Sequence, residues 1–146
     1  MSNKSVSAGI IFYDKGKFLM GRATNCKGRY DIFKGGVELD ETYTQGALRE
    51  LKEESGIELL PAQIVKLGFF EYSKNKDLCL FLYIGNINLL PNVKDLKCTS
   101  MVDSKYPEMD KFKWVSEEDI ESKKIKVGKD LKRVLLNDFK QIMQIK

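Results

Sequence analysis

The segment that most constrains the fold is residues 42–55, which has the pattern of an amphipathic helix. Its apolar residues Ala47, Leu48 and Leu51 recur at helical spacing. Gly56 follows directly, in the position where glycine commonly ends a helix. Because only one face of this helix is apolar, it must pack against another layer of structure. The rest of the sequence has to supply that layer.

Segments with strand patterns lie on both sides of this helix. Residues 14–16 predict the turn of a hairpin, and residues 34–36 are expected to interrupt a short apolar piece at 30–33. The segments with strand patterns are 6–12, 17–22, 64–72, 78–87 and 112–115. The order of strands, helix, strands and helices predicts an α/β fold with a mixed sheet, as a single domain over residues 1–146.

The last quarter of the chain predicts helices and carries the excess of positive charge. Ser116 and Asp119 have the spacing of a capping box, and apolar residues recur at helical spacing from 131 to 145. Between the strands lies a long stretch, 88–110, that is expected to be irregular and functional. The net charge of +4 arises entirely within residues 111–146. Such a basic segment attracts polyphosphate or RNA, or it is an ordinary solvated helix face.

Composition excludes several classes of chemistry. The chain has no histidine, which excludes Ser-His-Asp and Cys-His catalysis and imidazole-dependent zinc sites. The cysteines at 26, 79 and 98 are odd in number and widely spaced, so free thiols are expected. Without histidine, any metal site must be rich in oxygen ligands, which favours Mg²⁺, Mn²⁺ or Ca²⁺. No apolar run is long enough for a signal peptide or a membrane span, and we expect a cytoplasmic protein with no membrane partner.

Glutamates on the predicted helix are the candidates for chemistry. Glu50, Glu53 and Glu54 stand at i, i+3 and i+4, which places them on one face, directed away from the apolar side. Like charges so placed repel one another, and a divalent cation would compensate them. Arg49 is adjacent and can bind a carboxylate through two nitrogens. An acidic solvated face is the alternative for these residues taken alone.

Residues 35–57 fill every fixed position of the pattern G-x5-E-x7-R-E-U-x-E-E-x-G-U, in which U is aliphatic. This pattern is the Nudix box, and the chain resembles the Nudix hydrolases. The order of the surrounding segments, including the aromatic strand around Trp114, is similar to that family as well. The resemblance implies a Nudix α/β/α sandwich and a hydrolase that cleaves a pyrophosphate bond in a nucleoside diphosphate linked to another moiety. It also implies Mg²⁺ as the cofactor, with Mn²⁺ as a substitute.

The resemblance implies roles for individual residues. Glu53 and Glu54 would be metal ligands, and Glu50 would be a ligand or the base that activates water. Arg49 would orient the glutamates with Glu41 as its partner, and the main-chain carbonyl of Lys34 would be a further ligand. The last acidic ligand is expected from the loop before the aromatic strand, with Glu108 as the first choice and Asp103 and Asp110 as rivals. Residues expected to bind substrate are Gly35, Gly36, Tyr72, Lys105 and Tyr106.

The substrate is less constrained by the sequence. Residues 30–36 resemble a segment of dinucleoside polyphosphate hydrolases, although Tyr30 replaces a tryptophan and Phe33 replaces a proline. Those enzymes often have a tyrosine at about the position of Tyr72. Tyr72 is alternatively an ordinary residue of a strand. Dinucleoside polyphosphates are therefore favoured. The alternatives are a MutT-like nucleoside triphosphate hydrolase and an enzyme that acts on RNA 5′ ends, and DNA is not expected as a partner. A nucleotide-binding regulator without catalytic activity is disfavoured, because every glutamate of the box is present.

Overall fold

The computed structural model describes residues 4–144, which form two main β-sheets with helices packed on both sides. The predicted α/β class and the mixed sheet are confirmed. The strands are β1 (Ser5–Ile11), β2 (Tyr13–Asp14), β3 (Lys17–Ala23), β4 (Tyr30–Asp31), β5 (Phe33–Gly36), β6 (Ile64–Ser73), β7 (Lys76–Tyr83), β8 (Met101–Val102), β9 (Tyr106–Pro107) and β10 (Met109–Ser116). The helices are α1 (Tyr43–Ser55), α2 (Glu117–Glu121), α3 (Lys129–Arg133) and α4 (Phe139–Gln144), and a π-helical segment, Val134–Asp138, joins the last two.

The first sheet has the strand order β5-β1-β7-β6. Strand β1 runs parallel to β7, whereas β5 and β6 are antiparallel to their neighbours. The second sheet has the order β10-β3-β2, with β4 paired to β3. The antiparallel pairing of β5 with β1 brings the glycine-containing segment of the box onto the edge of the first sheet, beside the helix that follows it.

Alternation along the central strands divides the apolar residues between two cores. Ile10 of β1 packs in a core with Ala47 and Leu51 of α1, whereas its neighbour Ile11 packs in a second core with Leu135 and the C-terminal helices. Successive side chains of a strand point to opposite faces, so one strand serves both cores. This arrangement is the α/β/α layering that the resemblance implies.

Helix α1 begins and ends where its sequence predicts. The Thr42 hydroxyl accepts from Gln45 N–H, and the Gln45 side chain accepts from Thr42 N–H, which completes a capping box. Gly56 has φ = +82° and donates its N–H to the Lys52 carbonyl at 2.8 Å. A side chain at this left-handed position would be strained, so glycine ends the helix here. The register of the glutamates is fixed between these two ends.

The C-terminal helices are confirmed and cover the second core. Leu131, Val134, Leu135 and Phe139 are buried, and the ring of Phe139 meets that of Phe18 edge-on at 5.6 Å. The predicted short helix after Ser116 is α2, whose first turn is capped by the Ser116 hydroxyl accepting from Asp119 N–H. Ile145, the last position of the predicted apolar rhythm, lies outside the described residues.

Three local predictions are wrong. Residues 34–36 do not interrupt the strand but belong to β5, because they pair with β1. The strand predicted over 78–87 ends at Tyr83, and a 3₁₀ turn follows at Ile87–Leu89. The stretch 88–110 is not irregular throughout, since β8 and β9 form a hairpin within it. No helix within residues 4–144 has both the length and the apolar character needed to cross a bilayer.

Candidate active site

The candidate site forms where α1 lies against β5. Glu54 accepts a hydrogen bond from the main-chain N–H of Lys34 at 2.9 Å, and its side chain is buried. The expectation that all three glutamates point away from the packed side into solvent is therefore wrong for Glu54, and it is also wrong for Glu50, whose side chain is only 15% exposed. Adjacent residues of an α-helix project in different directions. Glu54 therefore reaches the strand, whereas the side chain of its neighbour Glu53 stays 40% exposed.

Gly35 is the residue against which the Glu50 carboxylate lies. A Cβ built on Gly35 would overlap all three carboxyl atoms of Glu50. A side chain at this position would therefore displace the Glu50 carboxylate from the place it holds here. Gly36, by contrast, has open space where a Cβ would be. Of the two glycines expected near substrate, only Gly35 is required by a neighbouring side chain.

Arg49 binds three carboxylates and one carbonyl. Its Nε and Nη2 donate to the two oxygens of Glu41 at 2.6 and 2.9 Å, and Nη2 also donates to the Gly36 carbonyl at 2.9 Å. Its Nη1 donates to Glu50 at 2.9 Å and to Glu53 at 3.2 Å. The arginine thus links the loop before α1 to two of the helix glutamates.

The environment separates the pKa values of these carboxyl groups. Hydrogen bonds from Arg49 lower the pKa of Glu41 to about 2. Because the same guanidinium is hydrogen-bonded to three carboxylates, the pKa of Arg49 is raised. Burial raises the pKa of Glu54 to about 9, and the charges of Asp31 and Glu50 add to this effect. Burial also raises the pKa of Glu50. Glu50 and Glu54 are therefore carboxyl groups whose negative charge is destabilised in the metal-free protein.

The loop before β10 is tied to the end of α1. The main-chain N–H groups of Thr99 and Ser100 donate to the Glu53 carbonyl at 2.7 and 3.2 Å, and Glu108 N–H donates to the Ser100 carbonyl at 2.9 Å. Burial is the main cause of the raised pKa of Glu50, and the charges of Glu53 and Glu108 add to it.

The two rivals of Glu108 are placed differently. Asp110 is held by Arg22 through two hydrogen bonds of 2.9 and 2.7 Å, and Asp103 is an exposed residue of the turn between β8 and β9. Asp110 is therefore already neutralised by an ion pair. Glu108 therefore stays the predicted acidic ligand from this loop.

The residues expected to contact the substrate lie in two places. Tyr72 is half-buried, and the ammonium of Lys34 lies 5.2 Å from the centre of its ring. Tyr106 and Lys105 are exposed on the β8–β9 hairpin. Sequence reasoning missed Asp31, which forms an ion pair with Lys34 at 3.2 Å; the signal was the i, i+3 spacing of opposite charges. Burial raises the pKa of Asp31, and its Oδ1 has no hydrogen-bond partner within residues 4–144.

The donor set fits a hard divalent cation. The carboxylates of Glu41, Glu50 and Glu53 meet at Arg49, and Glu54 has no ion pair among the described residues. No group of three or more Asp, Glu or Cys side chains in residues 4–144 already stands at metal-binding spacing. The Nη1 of Arg49 instead donates to both Glu50 and Glu53. A cation at this site would take over the role that Arg49 partly fills.

Fold, site and sequence together define this chain as a member of the Nudix family. The family profile described as NUDIX domain matches residues 3–137. The named relatives support an enzyme of the Nudix hydrolase class, and members of the family generally use divalent metals.

Individual relatives cover much of the chain. An uncharacterised 17.7 kDa protein of enterobacteria phage T4 is 39% identical over 122 residues, which are 75% of this chain and 80% of the phage protein. An RNA pyrophosphohydrolase of Orientia tsutsugamushi is 23% identical over 92% of this chain and 88% of its own length. The crystal structure of a C. elegans Ap4A hydrolase binary complex has a TM-score of 0.64 at 24% identity, covering 97% of this chain and 99% of that chain, which shows the shared fold.

Proposed function

We propose that this protein is a metal-dependent pyrophosphohydrolase, which cleaves the phosphoanhydride bond of a nucleoside diphosphate linked to another moiety. One observation carries the proposal. Glu50 and Glu54 are withdrawn from water against β5, and their raised pKa values reflect negative charge for which the protein supplies little compensation. Burying negative charge costs free energy, and a bound divalent cation would offset that cost.

The box residues would hold the metal. Glu53 and Glu54 would be ligands, the main-chain carbonyl of Lys34 would be another, and Glu108 would complete the set from its loop. When bound, Mg²⁺ or Mn²⁺ neutralises phosphate charge and lowers the pKa of coordinated water. Arg49 and Glu41 would keep the glutamates in place, since the two-point ion pair between them restricts both side chains.

The reaction needs a base and no covalent intermediate. A water oxygen forms the new bond to phosphorus, the bridging P–O bond breaks, and the departing phosphate carries the electron pair. The proton of the attacking water goes to a carboxylate. Glu50 is the candidate, as ligand or as base, because burial raises its pKa and makes it a better proton acceptor. The absence of histidine is no obstacle to this chemistry.

Dinucleoside polyphosphates are the favoured substrates. Tyr72 stands beside Lys34 and Asp31 at one side of the glutamates, and its ring could stack on a base. The hairpin that carries Lys105 and Tyr106 lies in the loop anchored to Glu53, where a lysine would attract additional phosphates. The fold similarity to an Ap4A hydrolase agrees with this choice.

RNA 5′ ends are the second candidate class. The Orientia relative named as an RNA pyrophosphohydrolase aligns over most of both chains. The basic C-terminal quarter of this chain supplies charge that a mononucleotide substrate does not need. A MutT-like activity on nucleoside triphosphates would use the same glutamates.

A substrate panel tests the proposal. Purified protein with Mg²⁺ is incubated with diadenosine tetraphosphate, ADP-ribose, nucleoside triphosphates and 5′-triphosphate RNA, and released phosphate and nucleotides are measured. We expect hydrolysis of at least one of these, with diadenosine tetraphosphate preferred over ADP-ribose. Glu54→Gln serves as the inactive control, so that a contaminating hydrolase is recognised. Absence of turnover on every substrate, with metal bound, would support the regulator instead.

A further inference from the structure

A cavity lined by positive charge lies apart from the glutamates, between the loop before β4 and the segment that joins α2 to α3. Its volume is about 590 Å³, and we call it the basic basin. Three apolar residues, Ile120, Ile125 and Val127, contribute to its wall. Its cationic residues are Lys27, Arg29, Lys123, Lys126, Lys129 and Lys132.

The charge of the basin is uncompensated. None of its cationic side chains forms an ion pair within residues 4–144, and none of its lining residues is acidic. Asp130 pairs with Arg133 and Glu117 pairs with Lys140, and neither of these carboxylates lines the cavity. Six like charges around one cavity repel one another, and a polyanion removes that repulsion. An ordinary solvated lysine face would interleave both signs of charge.

The basin is built by main-chain contacts. Tyr30 N–H donates to the Lys126 carbonyl at 2.8 Å, and Tyr30 also forms a β-bridge with Val127. Lys27 and Lys123 both have positive φ, at +53° and +65°, in the turns that present them. The cations therefore come from two chain segments that are fixed to each other.

The basin is linked to the candidate active site through a series of neighbouring residues. Arg29 also lines a smaller cavity of about 120 Å³, which Asp31 and Tyr72 share. Asp31 pairs with Lys34, and the Lys34 N–H binds Glu54. A chain of neighbouring residues thus connects the basin to the buried glutamate.

We propose that the basic basin binds the phosphodiester backbone of single-stranded RNA, whose 5′ end enters the glutamate site. The number and spread of the cations exceed what the two phosphates of a nucleoside diphosphate need, and they suit a strand with a charge on every nucleotide. The cations line a concave surface with recessed apolar residues. A protein face that binds a membrane surface would instead protrude. The inference rests on the proposed function and deepens it, because it assigns a binding surface to the RNA 5′ ends that are the second candidate class of substrate.

Binding of an uncleavable strand tests the basin without catalysis. The probe is a fluorescein-labelled 12-nucleotide RNA with a 5′ hydroxyl, followed by anisotropy between 25 and 200 mM salt. The variant carries Lys123→Gln, Lys126→Gln and Lys129→Gln, and the matched control carries Lys15→Gln, Lys74→Gln and Lys94→Gln. All six lysines are exposed and unpaired in the described residues, so the two variants lose equal charge and both should fold.

We expect the basin variant to raise the Kd for RNA at least ~10-fold at low salt, and the control less than ~2-fold. The slope of log K against log salt should fall by about 2 in the basin variant, since each phosphate contact on a single strand contributes about 0.7. Equal losses in both variants, or binding of phosphatidylserine vesicles without binding of RNA, would overturn the proposal.

A second measurement separates this inference from the proposed function. Hydrolysis of diadenosine tetraphosphate should be the same in the basin variant and the wild type, whereas kcat/KM for a 5′-triphosphate RNA of 12 nucleotides should fall with RNA affinity. If RNA binds through the basin lysines but no substrate is hydrolysed, the proposed function is wrong and the RNA-binding role of the basin is supported. If the small substrate is cut while RNA binding ignores the basin lysines, the basin fails alone.

Discussion

Arg49 and Glu41 are joined by two parallel hydrogen bonds, from Nε at 2.6 Å and from Nη2 at 2.9 Å. Glu41 lies before the capping residue of α1, and Arg49 lies within the helix, so the pair fastens the loop to the helix. The remaining nitrogen of the same guanidinium reaches Glu50 and Glu53. The positions of two glutamates therefore depend on a carboxylate that lies outside the helix.

Removing this pair should impair activity through the positions of the glutamates. Glu41→Gln keeps the size of the side chain but weakens the ion pair, and Arg49→Lys loses the two-point geometry. We expect each to lower kcat or metal affinity by roughly 10- to 100-fold, the usual effect of residues that support metal ligands. Isothermal titration with Mg²⁺ and steady-state kinetics measure this. Glu38→Gln in the same loop is the control, because only its main chain contacts Glu41; an equal loss there would contradict the prediction.

Activity should depend strictly on a divalent metal. Three glutamates of the proposed site lie on one helix, and the chain has no histidine that could take over their chemistry. Excess chelator should abolish turnover, and Mg²⁺ or Mn²⁺ should restore it. Full turnover in chelator would exclude the proposed mechanism.

Two glutamates should be indispensable for turnover but not for folding. Glu53→Gln and Glu54→Gln should each lower kcat by roughly 10²- to 10⁴-fold, the range typical of lost acid–base groups. Both proteins should fold, because each change removes one of several like charges on one helix. Glu58→Gln is the matched control, since this exposed glutamate pairs only with exposed Lys52. Near-normal turnover in either variant would make the ligand assignment wrong.

The stability of the metal-free protein should fall with rising pH. Burial raises the pKa of Glu54 from 4.5 to about 9. The stabilising contribution of Glu54 to the free energy of unfolding is therefore fully present below pH 4.5 and is lost as the pH rises through 9. Glu54→Gln should flatten the decline of Tm between pH 6 and 9. At pH 9 we expect it to raise Tm by a few degrees, since ~1 kcal/mol moves the Tm of a protein this size by about 2–4 °C. Thermal unfolding in chelator measures this, and parallel Tm curves for both proteins would refute it.

Tyr72 should act on substrate binding more than on chemistry. A ring stacked on a base away from the reacting phosphate binds ground state and transition state alike. Tyr72→Ala should therefore raise KM for diadenosine tetraphosphate more than it lowers kcat, with Tyr72→Phe as the control that keeps the ring. An unchanged KM in Tyr72→Ala would leave Tyr72 as an ordinary strand residue packed under Lys34.

The sequence by itself determined the family, the fold class and the helix that carries the glutamates. These follow from local patterns: the spacing in residues 35–57, the capping box at Thr42 and the glycine at 56 are read within a few residues of one another. The same local patterns predicted most strands within a few residues. The free thiols also agree, with Cys26 exposed and Cys79 and Cys98 buried.

Tertiary structure alone decided the environment of each carboxylate. Glu53 and Glu54 are neighbours in sequence, yet one remains partly in water and the other is buried against Lys34. That difference arises because β5 pairs with β1, a contact between distant segments that no local pattern specifies. The basic basin has the same origin, since Lys27 and Lys126 come together where Tyr30 bonds to the Lys126 carbonyl and bridges to Val127. Burial and charge clustering depend on which segments meet, and only the folded chain determines this.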